Sequence, residues 1–289
     1  MKRKLGIGII LCIVLIVVLL FNENKEMRLP QCGIYGIEQN SFYSFNENEE
    51  KEIYIDVYRI SLKEHRNSFL FEGFEDFALL DNSGKEYPIL FQEENVLLIN
   101  YDYEHSKKVD LSQYTVRVTI PCEEDIVFVA MKCRDMKGEI QTFDLGNIEV
   151  CMVQEEGEDV TAYSNRISWV SYYQPTFEHV ELILTNEGEQ NVTVSKLSYG
   201  DKTGISLSNP IDIQLAPSEE LEITFEVELT KKENGTPIVY YLKPVIEYRV
   251  ADMKKYVGFS NISKESFYGE EEDIFEYLYK LSKKDKYNG

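Results

Sequence analysis

The sequence predicts an all-β protein: two tandem antiparallel β-sandwich domains after an N-terminal transmembrane helix, with a short C-terminal helix. Three observations lead there. An unbroken apolar run from Leu5 to Phe21 follows directly on Lys2-Arg3-Lys4. From Ile53 onward, short apolar or alternating runs are separated by Asp, Asn, Gly and Pro, the pattern of antiparallel strands. After Ser263 the spacing of apolar residues changes to that of a helix.

Residues 1–21 make the first element, a basic cytoplasmic start and an anchor. Its 17 apolar residues sit at the short end of what crosses a bilayer's hydrocarbon core, and exceed the usual core of a cleaved signal peptide. Leu19-Leu20-Phe21-Asn22-Glu23-Asn24-Lys25 contains no small residue for a signal peptidase to read, so the segment is expected to stay attached. Cys12 lies inside the run behind Leu11, which argues against a lipoprotein signal. The three basic residues place the N-terminus in the cytoplasm, with residues 5–21 in the cytoplasmic membrane and the bulk outside. A soluble exported protein is the alternative. Abundant Lys, Glu, Ile, Asn and Tyr read as the composition of a low-GC bacterium.

Charge narrows the partners. The formal net charge is −21, and Lys2, Arg3 and Lys4 are part of that balance, so the portion beyond the anchor carries −24. A surface this acidic repels phosphate backbones and anionic lipid faces, which excludes nucleic acid as a partner. The 43% of apolar residues is enough for real cores. Cys32, Cys122, Cys133 and Cys151 lie outside the anchor and could form disulfides. No two are spaced as a zinc pair, and a hairpin turn near Lys137-Gly138 puts Cys133 beside Thr142 rather than Cys151. Buried reduced thiols remain an equal reading.

Residues 22–52, with Asn, Glu and Lys clustered at both ends, read as a stalk. The first sandwich is expected over 53–154, from strands at 53–60, 77–80, 87–91, 96–101, 114–121, 126–133 and 148–153. Within it Tyr114, Val116, Val118 and Ile120 face a core while Thr115, Arg117 and Thr119 face water. Asp81-Asn82-Ser83-Gly84 and Asp135-Met136-Lys137-Gly138 supply turns.

The charged segment Glu155-Glu156-Gly157-Glu158-Asp159 marks the domain boundary. A second sandwich follows over 160–262, with strands at 177–185, 192–199, 211–215, 221–229, 238–250 and 255–259. Leu221, Ile223, Phe225, Val227 and Leu229 alternate without exception against Glu222, Thr224, Glu226 and Glu228. Leu184-Thr185-Asn186-Glu187-Gly188, the strand of Val192 and Val194, and Leu215-Ala216-Pro217-Ser218-Glu219 resemble bacterial surface immunoglobulin-like domains of the CARDB and fibronectin-III-like type. Ser218 stands where that family often has Gly. The resemblance implies an immunoglobulin-like fold and an adhesive or spacer role, and brings no catalytic residues.

Residues 263–289 are expected as a C-terminal helix and tail. Ile274, Phe275, Leu278 and Leu281 form its apolar stripe, with acidic residues near its start and lysines near its end, as the helix dipole prefers. That stripe is either a docking face for a partner or a face packed on the protein itself.

Chemistry-bearing motifs are scarce. His65, His105 and His179 make no metal pair, and there is no His-Glu-x-x-His motif, Gly-x-Ser-x-Gly elbow or phosphate-cradling Gly-rich loop. No catalytic, metal or cofactor residues are assigned, and no cofactor is expected. The first expectation is a non-enzymatic binding or scaffolding protein of the bacterial envelope, with another envelope protein as its partner. The alternative is a cell-wall carbohydrate-binding module in which Tyr172, Tyr173, Tyr240 or Tyr241 stack on sugar rings, although adjacent strand residues point to opposite faces.

Overall fold

The computed structural model describes residues 31–62, 71, 73–90, 96–99, 109–154, 157–169, 177–229, 238–259, 262–267 and 271–284. The expected anchor, Tyr172, Tyr173, His65 and His105 lie outside these residues. No helix among the described residues is long and apolar enough to cross a membrane.

In chain order the strands are β1 Gly33–Gly36, β2 Glu38–Phe45, β3 Glu52–Leu62, β4 Phe74–Asp81, β5 Glu86–Pro88, β6 Val96–Ile99, β7 Val109–Thr119, β8 Ile126–Asp135, β9 Ile140–Met152 and β10 Val160–Trp169. They continue as β11 Phe177–Asn186, β12 Val192–Ser198, β13 Ile205–Leu207, β14 Ile213–Leu215, β15 Glu220–Leu229, β16 Ile238–Lys243, β17 Val245–Val250, β18 Met253–Gly258 and β19 Ser263–Phe267, before helix α1 Glu271–Lys284. The protein is mostly β, with several sheets and one short C-terminal helix. The described strands all lie in one unit, Cys32–Ile274.

Four sheets result. Sheet A has the order β1-β3-β7-β6, and sheet B is seven-stranded, β19-β16-β2-β9-β8-β4-β5. Sheet C is β14-β12-β17-β18 and sheet D is β10-β11-β15-β13. Pairing is antiparallel except at β2, which runs parallel to both β9 and β16.

Twelve of the thirteen expected strands form, with shifted ends, and the remaining one, 238–250, is divided in two. The turns behave as their residues dictate. Asp81 Oδ1 accepts from the backbone N–H of Ser83 and Lys85 at 2.8 and 2.9 Å, and Asp135 Oδ1 accepts from Lys137 and Glu139 at 2.9 Å each. Cys133 lies opposite Gln141, one residue from the expected register. All four cysteines outside the anchor are free thiols. Burial pushes the Cys133 thiol up to about 12 and that of Cys151 to about 11, which keeps both protonated and unreactive.

The stalk expectation fails over residues 33–45, which form β1 and β2. Burial is complete along most of β2, including Gln39, Asn40, Ser41 and Ser44, all at 4% exposure or less. These residues look solvent-facing in the sequence, but their polar atoms serve the neighbouring backbone. Ser44 Oγ donates within 2.8 Å of the Lys243 and Pro244 carbonyls, and Ser41 Oγ accepts from the Tyr241 N–H at 3.0 Å. Polar side chains at these positions replace hydrogen bonds with water by hydrogen bonds with the protein.

A second correction concerns residues 238–250, expected as one strand. Pro244 lacks a backbone N–H and cannot continue a ladder, so the chain leaves sheet B after Lys243 and enters sheet C at Val245. Residues 263–267, expected in the terminal helix or tail, instead form β19 on the outer edge of sheet B.

The consequence is an interlock. Ile238, Tyr240 and Leu242 on one face of β16 join the core of sheets C and D, with Leu182, Val194, Leu215 and Tyr248. Because strand side chains alternate, Tyr241 and Lys243 point the other way, toward sheet A. Gly157, inside the expected boundary, is itself buried: a Cβ there would come within 1.9 Å of the Tyr248 hydroxyl. One strand thus serves both cores.

Candidate functional site

The site builds outward from Asp56. On β3, Ile53, Ile55 and Val57 carry the core face and are fully buried. The opposite face starts out toward water, with Arg117 and Thr119 exposed on the paired strand β7. A few residues further along, the same face is buried at Asp56, Tyr58, Gln113 and Thr115. The cover comes from β16 and β19. Tyr241 Oη donates to Asp56 Oδ1 at 2.7 Å, and Lys264 Nζ lies 2.8 Å from Asp56 Oδ2. Thr115 Oγ1 donates to Oδ1 at 2.6 Å, and Gln113 Nε2 to Oδ2 at 3.3 Å. Asp56 has no exposed surface and four side-chain partners, the condition under which a buried carboxyl group is tolerated.

A buried cation, Lys243, lines the same cleft as the Asp56 partners Thr115, Tyr241 and Lys264. Lys243 is 1% exposed, lies 4.6 Å above the centre of the Phe45 ring, and pairs with Glu49 in the connection between β2 and β3. Burial lowers the pKa of its ammonium, and the Glu49 contact opposes that shift. Lys264 likewise lies 5.1 Å above the Tyr241 ring. Tyr241 stacks on Tyr54 with ring centres 5.3 Å apart. Gln39 joins β2 to β3: in the amide orientation that satisfies both groups, it donates to the Tyr54 carbonyl and accepts from the Asp56 N–H.

The cleft has a volume of about 550 Å³, and its lining includes Glu50, Glu52, Tyr54, Thr115, Tyr241 and Lys264. That volume is in the range of small-molecule sites. Its lining combines glutamate carboxylates, the stacked Tyr54 and Tyr241, and the Lys243 and Lys264 ammonium groups. It can present acceptors, donors and an aromatic surface to one ligand. Among the described residues, no group of three or more His, Cys, Asp and Glu is arranged to hold a metal ion.

The sequence-predicted residues fall differently. Tyr240 and Tyr241 are 2% and 3% exposed, each ring in a different core environment, so neither is a surface platform. Burial raises the Tyr240 hydroxyl to about 12 and shifts Tyr241 further in the same direction. Ile274, Phe275 and Leu278 are buried, while Leu281 is half-buried. Sequence reading missed Tyr54, Asp56, Lys243 and Lys264. A signal existed: Asp56 interrupts an apolar strand, and Lys243 ends the apolar run Ile238 to Leu242, both unusual for solvated charges.

No family model matches the chain, and no curated protein matches it. Among solved structures, it is similar to Escherichia coli alpha-2-macroglobulin activated by porcine elastase, at 9% identity and a TM-score of 0.26, covering 84% of this chain and 22% of that one. It is also similar to the D00-D0 domain of intimin, at 11% identity and a TM-score of 0.22, covering 82% of this chain and all of that one. A marsupial T cell receptor aligns at 7% identity and a TM-score of 0.24, over 81% of this chain and 62% of the receptor. The chain spans under a quarter of the macroglobulin.

Proposed function

We propose that this chain is a non-enzymatic binding or scaffolding protein of the bacterial envelope, anchored in the cytoplasmic membrane by residues 5–21 and displaying immunoglobulin-like sandwiches outside. The observation that supports this reading is the sharing of β16 by two cores. A strand whose two faces fill different cores couples them, so surfaces on either side keep a fixed separation, which suits a scaffold that must hold a partner. The run after Lys2-Arg3-Lys4 supports membrane attachment, and the strongly acidic remainder favours a partner with basic patches over nucleic acid or an anionic lipid face.

Contact through the stripe of α1 is less favoured, because Ile274, Phe275 and Leu278 are already buried. An exposed sheet edge suits the role better. Strand β18 closes one side of sheet C and carries Met253 at 61% exposure. Crosslinking in intact cells with the full-length protein, followed by detergent purification, tests the proposal. It expects a discrete envelope protein whose recovery falls when Met253 is changed to Glu. Recovery of no specific protein across several crosslinker lengths would defeat it.

A further inference from the structure

We propose that the cleft beside Tyr54 binds one ring of an uncharged sugar, with Tyr54 as its stacking surface. This goes beyond the scaffold reading and does not depend on it.

The charges around the cleft argue for a ligand without net charge. Lys243 is matched by Glu49 and Lys264 by Asp56, while Glu52 lies 3.4 Å from Arg117. Among the described residues Glu50 alone of these carboxylates has no paired cation, so a cationic ligand gains a single partner unless it displaces Lys243, Lys264 or Arg117, and an anion would meet Glu49, Glu50 and Glu52. A neutral polyhydroxylated ligand meets neither obstacle.

Hydrogen-bonding capacity remains after these pairings. The Lys264 ammonium has three N–H donors, and among the described residues Asp56 and Thr115 take two, the latter at 2.9 Å. Glu50 is exposed, lines the cleft and offers acceptor oxygens. Donors and acceptors beside one aromatic face match the alternating hydroxyls and apolar C–H face of a pyranose.

Tyr54 is suited to be that face. Tyr54 is half-buried and lines the cleft, and Tyr241 backs its ring in a stack tilted by 20°. Tyr241 is in turn fixed by Asp56, so the platform is held before ligand arrives and little ordering cost remains. The volume of about 550 Å³ accommodates one or two rings rather than a long polymer.

The test uses the full-length protein in a sugar-free detergent. It is titrated with chitotetraose and cellotetraose, two uncharged pyranose oligomers, and with lysine methyl ester and inorganic phosphate as the cation and anion. Tyrosine fluorescence and saturation-transfer NMR of the ligand report binding. The expected result is saturable binding of at least one oligosaccharide, weakened about tenfold or more by Tyr54→Ala, about one factor of ten being the loss of 1.4 kcal/mol. Tyr54→Phe, which keeps the ring and the stack on Tyr241, retains binding, as does Tyr256→Ala on β18. An unchanged melting temperature for Tyr54→Ala shows that the loss is local. Binding of neither oligosaccharide, binding of only the amine or phosphate, or equal binding by Tyr54→Ala would overturn the inference. Capture of an envelope protein alongside any of those results would leave the scaffold proposal standing.

Discussion

Two buried polar centres hold this protein together, and they are built on opposite plans. The Asn186 side chain, in the second strand series, binds backbone groups no more than 29 residues away. Its Nδ2 donates to the carbonyls of Gln190 and Leu215 at 2.8 and 3.0 Å, and its Oδ1 accepts from the Gly188 N–H at 3.0 Å. Asp56, in the first series, binds side chains that are mostly remote: Thr115 is 59 residues away and Tyr241 is 185. A local centre closes its loops early and cheaply, whereas a remote one forms only after distant strands have docked. The second series can therefore define its turns alone, and the first depends on the end of the chain.

The sharpest way to break this comparison is truncation. A chain ending at residue 154, the boundary expected from the sequence, keeps β3 and β7 but lacks β16 and β19. Asp56 then loses Tyr241 and Lys264, and β2 loses one of its two neighbours. We predict no cooperative thermal transition for this fragment. A sharp calorimetric transition would show that the first series is autonomous and the interlock dispensable.

Next in size is Asp56→Ala in the full chain. It leaves the Lys264 ammonium and the Tyr241 hydroxyl without their buried acceptor, and breaking such a pair costs about 3–5 kcal/mol. Urea denaturation should show that loss as a lower midpoint with an unchanged slope. A cost below about 1 kcal/mol, the worth of a surface pair, would mean that the centre is solvated in solution.

This contrast also explains what the sequence made legible. The alternation of Leu221 to Leu229 against glutamate and threonine is a single-strand property, and β15 follows it: Val227 is buried, and Glu222, Thr224, Glu226 and Glu228 are exposed. The turns at Asp81 and Asp135 are equally local. Strand β2 was illegible because its burial depends on β9 and β16, more than 100 and 190 residues away, and its serines satisfy backbone groups there. Thr115 misled for the same reason. It sits in the expected outward register beside exposed Arg117, yet is 5% exposed because Tyr241 of β16 and Lys264 of β19 cover it, where its hydroxyl donates to Asp56. Of the cleft, Tyr241 was singled out as a sugar contact, but its buried role depends on pairings that no periodicity encodes.

Asn186→Ala tests the local plan. The side chain is fully buried and makes three hydrogen bonds to backbone, so its removal leaves the Leu215 carbonyl and the Gly188 N–H without those partners. The expected cost is about 2–3 kcal/mol, since each group stranded away from water forfeits about 1 kcal/mol or more. Hydrogen exchange should quicken first at Gly188 and in β14, with the Asp56 region unchanged. Simultaneous loss of protection at β3 and β7 would show that the two centres are coupled.

The smallest effect concerns the turn that Asn186 serves. Ser218 has φ of +61°, a left-handed conformation, and its N–H donates to the Asn186 carbonyl at 2.9 Å. Its side chain is exposed, so no packing is lost by removing it. A non-glycine residue in this region costs about 1–2 kcal/mol. Glycine relieves that strain but adds unfolded-chain entropy worth about 0.4–1 kcal/mol. Ser218→Gly should therefore stabilise the protein by about 0.5–1 kcal/mol, measured as a raised urea midpoint. Ala251→Gly, at φ of +53° in the turn between β17 and β18, should gain similarly. If the alanine site gains and the serine site does not, the Ser218 hydroxyl makes a compensating local bond in solution, and the turn is stabilised by its side chain as well as by its backbone bond to Asn186.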